Sequence, residues 1–300
     1  MKFLVTGVGG QLGYDVMQEL AKRGHEAAGS DIAPEYQGKL SAGQSYFAMD
    51  ITDKAAVDSV IAKVQPDAVV HCAAWTAVDA AEDEDKRQLV YNINSTGTEN
   101  IALACQKLNC KMLYISTDYV FDGQGEVPWQ PDCKNYAPLN VYGDSKLQGE
   151  KAVSSLLDKY FIVRIAWVFG KNGNNFVKTM LKLSEKYQKL RVVCDQVGTP
   201  TYTYDLARLL VDMAETDKYG YYHATNEGGY ISWCDFAREI FKQAGIAMEV
   251  EAVTTAEYGL SKAARPFNSR LDKSKLREAG FTPLPDWQDA LKRYLQVLQG

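Results

Sequence analysis

Residues 2–24 read KFLVTGVGGQLGYDVMQELAKRG, and this stretch decides the fold. The apolar run over 2–6 predicts a short buried strand, and the apolar spacing after the glycines predicts a helix. Gly7, Gly10 and Gly13 stand three residues apart between the two. A pyrophosphate must approach main-chain N–H groups and the positive end of the helix, where a Cβ atom would block it. The stretch therefore predicts a dinucleotide-binding loop, and the alternative is a tight turn that binds nothing.

The same alternation of strand and helix continues along the first half of the chain. Further strands are predicted at 25–31, 67–74, 111–117 and 160–170, and helices at 52–66, 85–109 and 141–156. Strands that are apolar throughout and alternate with helices indicate a parallel sheet covered on both faces. We predict an α/β protein with a Rossmann-like, doubly wound parallel sheet in a dinucleotide-binding domain, residues 1–170. A smaller, mixed α/β substrate-binding lid is predicted mainly in 171–300, with part of 200–226 returning to the sheet.

A sheet of this kind binds ligands outside the carboxyl ends of its strands. The residues predicted at these ends are Gly7, Asp31, Ala73, Thr117 and Gly170. Asp31 lies near the offset at which an acid meets the adenine ribose. Its carboxylate would accept from a 2′-hydroxyl and repel a 2′-phosphate, which favours NADH. Ser30 and Lys39 stand close by, so NADPH stays open as the cofactor.

The composition excludes several classes of partner. The chain has 300 residues, is 46% apolar and carries a net charge of −5 without a basic run, which argues against nucleic acid and anionic membranes as partners. No apolar stretch approaches the roughly 18 residues of a membrane span, and the first glycine comes too early for a signal peptide. The six cysteines show no CxxC spacing, so we expect free thiols in a cytoplasmic protein and no metal ligands.

Tyr142 and Lys146 stand four residues apart in the sequence YGDSK. On a helix they would share one face, about 6 Å apart at Cβ. A phenol ordinarily has a pKa near 10, and we expect the adjacent ammonium to lower that pKa toward neutrality, where proton transfer is efficient. Thr117, at a neighbouring strand end, can hold a substrate oxygen on which negative charge develops. Alone, the pair also fits a surface tyrosine with a solvated lysine, but together with the glycine loop it favours a carbonyl reductase.

Three motifs carry a resemblance to a known family: TGVGGQLG (6–13), STDYVFDG (116–123) and PLNVYGDSKLQGE (138–150). They resemble the extended short-chain dehydrogenase/reductases and, within these, the family of dTDP-4-dehydrorhamnose reductases. The resemblance continues through RIAWVFGKNGNNFVKTM (164–180) and RPFNSRL (265–271), and so covers nearly the whole chain. It implies NADPH- or NADH-dependent reduction of the C4 ketone of dTDP-4-dehydro-L-rhamnose to dTDP-L-rhamnose, in the biosynthesis of dTDP-rhamnose. The hydride would come from nicotinamide C4.

The resemblance also implies roles for individual residues. Tyr142 would be the proton donor, Lys146 its partner and a ribose ligand, and Thr117 the hydroxyl that polarises the ketone. The implied cofactor contacts are Gly7, Gly10, Gln11, Leu12, Asp31, Asp50, Ile51, Cys72, Ala73, Ala74, Thr76, Tyr142 and Lys146. The implied contacts to the dTDP-sugar are Thr117, Asp118, Trp167, Asn175 and Arg265.

Some members of the family hold Mg²⁺ at a dimer contact built from acids. The matching early helix position here carries Tyr14 and Asp15, and the later acids are only Glu215 and Asp217. This departure argues against a metal-bridged dimer. We predict no metal ligands and either a monomer or a homodimer.

Three other functions use the same scaffold. A sugar-nucleotide dehydratase needs an Asp-Glu pair directly after the threonine, whereas Asp118 is followed here by Tyr119. An epimerase would retain its cofactor and show no net consumption, so a redox assay separates it from a reductase. A non-catalytic alternative is a dinucleotide-binding regulatory subunit similar to that of methionine adenosyltransferase, which would co-purify with a synthetase and show no turnover.

Overall fold

The computed structural model describes residues 1–299. The strands are β1 (Lys2–Thr6), β2 (Glu26–Asp31), β3 (Gln44–Ala48), β4 (Ala68–His71), β5 (Lys111–Thr117), β6 (Tyr160–Ile165), β7 (Val168–Phe169), β8 (Lys189–Val193), β9 (Val197–Gly198), β10 (Thr201–Tyr202), β11 (Gly220–His223), β12 (Ile231–Ser232) and β13 (Glu249–Val253). The helices are α1 (Gln11–Lys22), α2 (Lys54–Val64), α3 (Glu84–Tyr91), α4 (Thr98–Leu108), α5 (Val141–Leu156), α6 (Phe176–Ser184), α7 (Thr203–Ala214), α8 (Trp233–Ala244), α9 (Thr255–Tyr258), α10 (Ser274–Glu278) and α11 (Trp287–Gln299). A π-helical segment, Asn92–Gly97, joins α3 to α4, and short 3₁₀ turns occupy Ala80–Glu82 and Asp118–Val120.

A seven-stranded sheet in the order β11-β6-β5-β4-β1-β2-β3 forms the centre of the molecule. Every neighbouring pair in it is parallel. Alternate side chains of β1 enter opposite layers: Phe3 and Val5 pack with α1 and α7, while Leu4 packs with α2, α4 and α5. The prediction of a Rossmann-like, doubly wound sheet is confirmed. The chain winds outward from β1 in both directions, so a crevice opens at the carboxyl ends of β1 and β4.

The later part of the chain builds a second, smaller layer. Helices α6, α8 and α11 pack around a core that includes Phe236, Trp287 and Leu291. Strands β8 and β13 pair with each other beside it. In contrast, α7 packs against α1, and β11 extends the central sheet next to β6. The domain division at residue 170 stays a prediction. Among the helices of residues 1–299, none is long and apolar enough to cross a membrane.

The structure corrects two details of the sequence-based prediction. Strand β3 was not among the predicted strands; it lies at the sheet edge, and none of its residues is fully buried. The single strand predicted over 160–170 instead ends at Ile165. Trp167 takes a left-handed backbone conformation with φ of +52°, and Thr201 binds the chain there through Thr201 N to Trp167 O at 3.1 Å. Because of this break, Trp167 lies in the wall of the crevice and does not continue β6.

A buried ion pair fixes α5 to the central sheet. Arg164 of β6 is fully buried and donates to both carboxylate oxygens of Glu150 of α5, at 2.8 and 2.7 Å. Its remaining amino group donates to the carbonyl oxygen of Pro131 at 3.0 Å, and the ring of Phe121 lies 5.0 Å from the guanidinium carbon. Because both charges are removed from water, loss of either partner would leave the other charge buried and uncompensated.

We predict that Glu150→Ala lowers the free energy of unfolding by about 3–5 kcal/mol, because it leaves Arg164 buried without its counter-charge. Urea denaturation followed by circular dichroism measures the change. Lys54→Ala is the matched control, since it breaks an exposed pair with Asp58 at 3.2 Å, and it should cost less than about 1 kcal/mol. Equal losses in the two variants would contradict the structural role assigned to the buried pair.

Candidate active site

One cleft of about 910 Å³ opens at the carboxyl ends of the central strands, between the sheet and the smaller layer. Every residue for which the sequence predicted a role at the site lines this cleft: Gly7, Gly10, Gln11, Leu12, Asp31, Asp50, Ile51, Cys72, Ala73, Ala74, Thr76, Thr117, Asp118, Tyr142, Lys146, Trp167, Asn175 and Arg265. The cleft is thus the place where the predicted dinucleotide and substrate residues converge. Their individual roles stay predictions.

The three glycines of the first loop are required for different reasons. Gly7 has φ of +71°, and a Cβ atom there would come within 2.6 Å of the backbone nitrogen of Ala73. A Cβ atom at Gly13 would overlap the carbonyl oxygen of Gly7. Only Gly10, which caps α1 without a side chain, leaves its Cβ direction open apart from the nearby Gly7 carbonyl oxygen. Gly7 and Gly13 therefore let the loop pack on its own protein, and Gly10 leaves the positive end of α1 accessible to an anion.

Buried polar atoms in the cleft wall indicate that a polar ligand fits it. Within residues 1–299, Ser30 Oγ, Ser116 Oγ and Asp118 Oδ2 have no hydrogen-bond partner, although their residues are at most 2% exposed. Buried polar groups are ordinarily satisfied, so these three atoms are candidates for hydrogen bonds to a ligand in the cleft. Ser30 lies beside Asp31 at the end of β2, and the other two lie at the end of β5. The cleft therefore offers unsatisfied polar groups at both the dinucleotide end and the proposed substrate end.

Asp31 binds the glycine loop as well as facing the cleft. One carboxylate oxygen accepts from the backbone N–H of Gly9 at 2.9 Å, and the other accepts from that of Ile32 at 2.8 Å. A carboxylate oxygen can accept more than one hydrogen bond, so Asp31 retains capacity for a ribose hydroxyl. Its negative charge is fixed next to the loop by these two bonds.

Thr117 is both a strand end and a cleft hydroxyl. Its oxygen accepts from the backbone N–H of Tyr119 at 3.3 Å, which caps the 3₁₀ turn, and it donates to Asp118 Oδ1 at 3.0 Å. Burial raises the pKa of Asp118 to about 6, although Ser269 and Thr117 act to lower it. The second carboxylate oxygen of Asp118, which has no hydrogen-bond partner within residues 1–299, thus belongs to a cleft residue that titrates not far below neutral pH.

Tyr142 and Lys146 lie on one face of the first two turns of α5. Asn140 starts this helix by accepting from the backbone N–H of Gly143 at 2.8 Å. The Lys146 ammonium lies over the ring of Tyr114 at 4.1 Å, and the hydroxyl of Tyr114 donates to the Lys146 carbonyl at 3.1 Å. Tyr142 is partly buried, with the ring of Tyr119 packed edge-on at 5.6 Å between centroids. The predicted one-face arrangement of the pair is present.

The electrostatics of this pair differ from the sequence-based expectation. Removal from water raises the pKa of the Tyr142 phenol above its usual range; Thr117 opposes this shift, while Asp118 and Tyr119 add to it. Burial lowers the pKa of Lys146 to about 7, although the charges of Glu150 and Cys72 act to raise it. The expected lowering of the Tyr142 pKa is not found: desolvation is the largest cause and raises it, and the opposing contribution comes from Thr117. The phenol is therefore neutral at physiological pH and carries a proton that it can donate.

The sequence did not predict the aromatic wall at the substrate end. Trp167 stacks on Trp233 with 3.7 Å between ring centroids, and Phe176 lies 4.6 Å from Trp233. Trp233 is the first residue of α8, directly after the cap residue Ser232, and in the sequence it reads as part of an ordinary amphipathic helix. The strained backbone of Trp167 is typical of a functional position.

Arg265 reaches the cleft from a loop that an acid holds in place. Its guanidinium donates to Asp79 at 2.6 Å and to the hydroxyl of Tyr119 at 3.3 Å. Asp79 also accepts from the backbone N–H groups of Lys262 and Ala263, at 3.1 and 3.0 Å. Asp79 was not among the predicted site residues, because a pairing with Arg265 across 186 residues leaves no local signal in the sequence.

Comparison with known proteins assigns the family. The sequence model of the family described as RmlD substrate binding domain matches residues 1–299. The chain belongs to this family. It is 40% identical over 305 residues to the dTDP-4-dehydrorhamnose reductase of Aggregatibacter actinomycetemcomitans, covering 97% of each chain.

Solved structures of the RmlD family superpose closely on this fold. The crystal structure of a dTDP-4-dehydrorhamnose reductase from Clostridium acetobutylicum matches with a TM-score of 0.91 at 39% identity, over 100% of both chains. That of the Bacillus anthracis enzyme, solved in complex with NADP, matches with a TM-score of 0.89 at 39% identity, over 98% of both chains. The resemblance stated from the sequence motifs is confirmed.

We predict that Lys146→Met stabilises the protein near neutral pH. Lys146 has a folded-state pKa near 7 and an unfolded value of 10.5, so between these pH values the unfolded chain binds more protons. The wild-type protein therefore gains stability from this group as pH rises from about 7 to 10.5, and carries the full cost of the buried charge below pH 7. Urea unfolding at pH 7 should show the variant more stable, by on the order of 2 kcal/mol, with the gap closing toward pH 10.

The matched control is Lys151→Met, which changes an exposed lysine on the same helix. Its stability difference from wild type should not change between pH 7 and pH 10. If the difference in unfolding free energy between Lys146→Met and wild type is likewise independent of pH, burial does not destabilise the charged form of Lys146.

Proposed function

We propose that the chain reduces the C4 ketone of dTDP-4-dehydro-L-rhamnose to dTDP-L-rhamnose, with NADPH or NADH as the reductant. The observation that carries this proposal is the convergence of Thr117, Tyr142 and Lys146 in one cleft with the glycine loop. Membership of the RmlD family and 40% identity to a dTDP-4-dehydrorhamnose reductase support the substrate.

Proton transfer to the ketone oxygen is the step that Tyr142 performs. A bound reduced nicotinamide supplies a hydride to the carbonyl carbon. Because the cleft keeps the phenol neutral, Tyr142 holds its proton until negative charge develops on the ketone oxygen, and then donates it. Thr117 turns its hydroxyl from Asp118 to the same oxygen and stabilises that charge. Lys146, one turn along α5, provides a cation beside the phenolate that remains.

The sugar nucleotide has matching groups at the other end of the cleft. Asp118 Oδ2 has no partner within residues 1–299 and accepts from a sugar hydroxyl, while Trp167 packs against the sugar ring. Arg265 donates from Nε to Ser261, from Nη1 to Tyr119 and from Nη2 to Asp79, which leaves two of its five N–H donors without a partner in the described part of the chain. Two donors on a fixed guanidinium suit a diphosphate.

The family match favours a reductase over an epimerase. The chain matches the RmlD family model over residues 1–299 and is 40% identical to a dTDP-4-dehydrorhamnose reductase. A purely regulatory dinucleotide-binding subunit requires neither a proton donor such as Tyr142 nor an unpaired acceptor such as Asp118 Oδ2. The monomeric or homodimeric state and the cytoplasmic location stay predictions.

The deciding assay incubates the purified protein with dTDP-4-dehydro-L-rhamnose and either NADPH or NADH. Absorbance of the reduced nicotinamide should fall in step with the formation of dTDP-L-rhamnose, identified by NMR. A product without net cofactor consumption would indicate an epimerase, and cofactor binding without turnover would indicate the regulatory alternative.

We predict that Tyr142→Phe lowers kcat by about a hundredfold to ten-thousandfold, because it removes only the proton donor. The Kd for NADPH, measured by fluorescence, should stay within twofold of wild type. Tyr91→Phe is the matched control: Tyr91 donates to Asp144 at 2.6 Å on the side of α5 and does not line the cleft, so this variant should keep full turnover. Full turnover by Tyr142→Phe would remove Tyr142 as the donor.

We predict that Asp31→Asn shifts the preference toward NADPH by about fivefold to tenfold in the ratio of kcat/KM values, because it removes a charge that repels the 2′-phosphate. The amide oxygen can accept from only one of the two N–H groups that the carboxylate binds, and keeping the bond from Gly9 preserves the contact to the glycine loop. Glu26→Gln, at the other end of β2, controls for the change in net charge and should leave the ratio unchanged. If the ratio of kcat/KM values for NADPH and NADH is unchanged in Asp31→Asn, Asp31 does not discriminate between a 2′-hydroxyl and a 2′-phosphate on the ribose.

A further inference from the structure

The side-chain amide of Asn175 is fully engaged inside the protein. Its oxygen accepts from the backbone N–H of Lys178 at 3.1 Å and so caps α6. Its nitrogen lies within hydrogen-bond distance of three acceptors: Gly170 O at 2.9 Å, Tyr294 Oη at 2.9 Å and Gln11 Oε1 at 3.1 Å. An amide nitrogen has two N–H donors, so three acceptors already exceed what Asn175 can supply. It has no donor left for a phosphate oxygen.

These bonds join the two ends of the cleft. Gln11 is the first residue of α1, at the helix end that faces the dinucleotide loop, and its own amide nitrogen donates back to the Asn174 carbonyl at 3.4 Å. The loop 170–175 touches Gln11 closely, since a Cβ atom at Gly170 would come within 3.2 Å of the Gln11 Cβ. The same loop contributes Gly173 and Asn174 to the cleft wall.

A second residue braces the amide from behind. Tyr294 of α11 is fully buried, does not line the cleft and donates to the Gly170 carbonyl at 2.7 Å while accepting from Asn175. The two side chains therefore share the Gly170 carbonyl and fix its loop from both directions. The smaller layer thereby contacts the dinucleotide end of the cleft through Asn175.

We propose that Asn175 is a positioning residue that holds loop 170–175 and the start of α6 against Gln11, and so sets the shape of the dinucleotide site rather than binding the nucleotide diphosphate itself. This inference rests on the proposed NAD(P)H-dependent function. The proposal predicts that loss of the Asn175 amide weakens the binding of the cofactor. The family resemblance instead places Asn175 at the substrate end of the cleft.

The variant that tests this is Asn175→Ser, because serine keeps an oxygen to cap α6 but has no N–H donors for Gly170 and Gln11. Isothermal titration of the full-length protein with NADPH and, separately, with dTDP gives both Kd values without turnover. We expect the Kd for NADPH to rise about fivefold to tenfold, the equivalent of one buried hydrogen bond, and that for dTDP to stay within twofold. A raised Kd for dTDP with an unchanged Kd for NADPH would overturn the inference and make Asn175 a direct nucleotide ligand.

Two further variants keep the test independent of local folding. Tyr294→Phe removes the brace outside the cleft, and should raise the Kd for NADPH about twofold to fivefold with the Kd for dTDP unchanged. Thr179→Val is the matched control: it deletes an exposed hydroxyl that donates to the Asn175 carbonyl at 2.9 Å in the same helical turn, without touching Gln11. It should bind NADPH as wild type does, and a loss equal to that of Asn175→Ser would also overturn the inference. Since no titration involves turnover, the outcome is separate from whether the wild-type chain reduces the sugar.

Discussion

The proposed site depends on a phenol and an ammonium that lie one helical turn apart in the cleft wall, the phenol partly buried and the ammonium almost fully so. Desolvation disfavours the charged form of each, so the pKa of Tyr142 rises and that of Lys146 falls. Neither shift would arise on an exposed helix. The rest of the protein keeps α5 packed on the face of the sheet over β5 and β6, through the cap at Asn140 and the buried pair of Glu150 with Arg164.

The same constraint links stability to function. A cleft that keeps Lys146 out of water lowers its affinity for a proton, so the ammonium is costly in the ligand-free protein. A pyrophosphate or a developing phenolate beside Lys146, as proposed above, would lower that cost. A polar ligand would likewise satisfy Ser30 Oγ, Ser116 Oγ and Asp118 Oδ2, which have no hydrogen-bond partner within residues 1–299.

Local patterns predicted most of the fold and the location of the site. The β1–α1 unit is recognisable because a continuous apolar strand, spaced glycines and an amphipathic helix are all contained in residues 2–24. Strand β3 escaped prediction because an edge strand lacks a buried apolar face on both sides. The end of β6 before Trp167 involves a hydrogen bond from Thr201, and the position of Arg265 involves its ion pair with Asp79. These contacts join residues far apart in the sequence, so local patterns do not predict them. The direction of the Tyr142 pKa shift was also wrong, because spacing reveals a neighbouring charge but not the amount of water removed.

The most direct test of this account is the titration of Tyr142 itself. Protein labelled with ¹³C at tyrosine Cζ, with the Tyr142 resonance assigned by its absence from a Phe variant, can be followed by NMR without ligands. The account predicts that this resonance keeps the chemical shift of a neutral phenol from pH 6 through pH 10, where an ordinary tyrosine with a pKa of about 10 is already half ionised. A transition to phenolate near pH 7 would contradict it, and would mean that the Lys146 charge, not desolvation, governs the site.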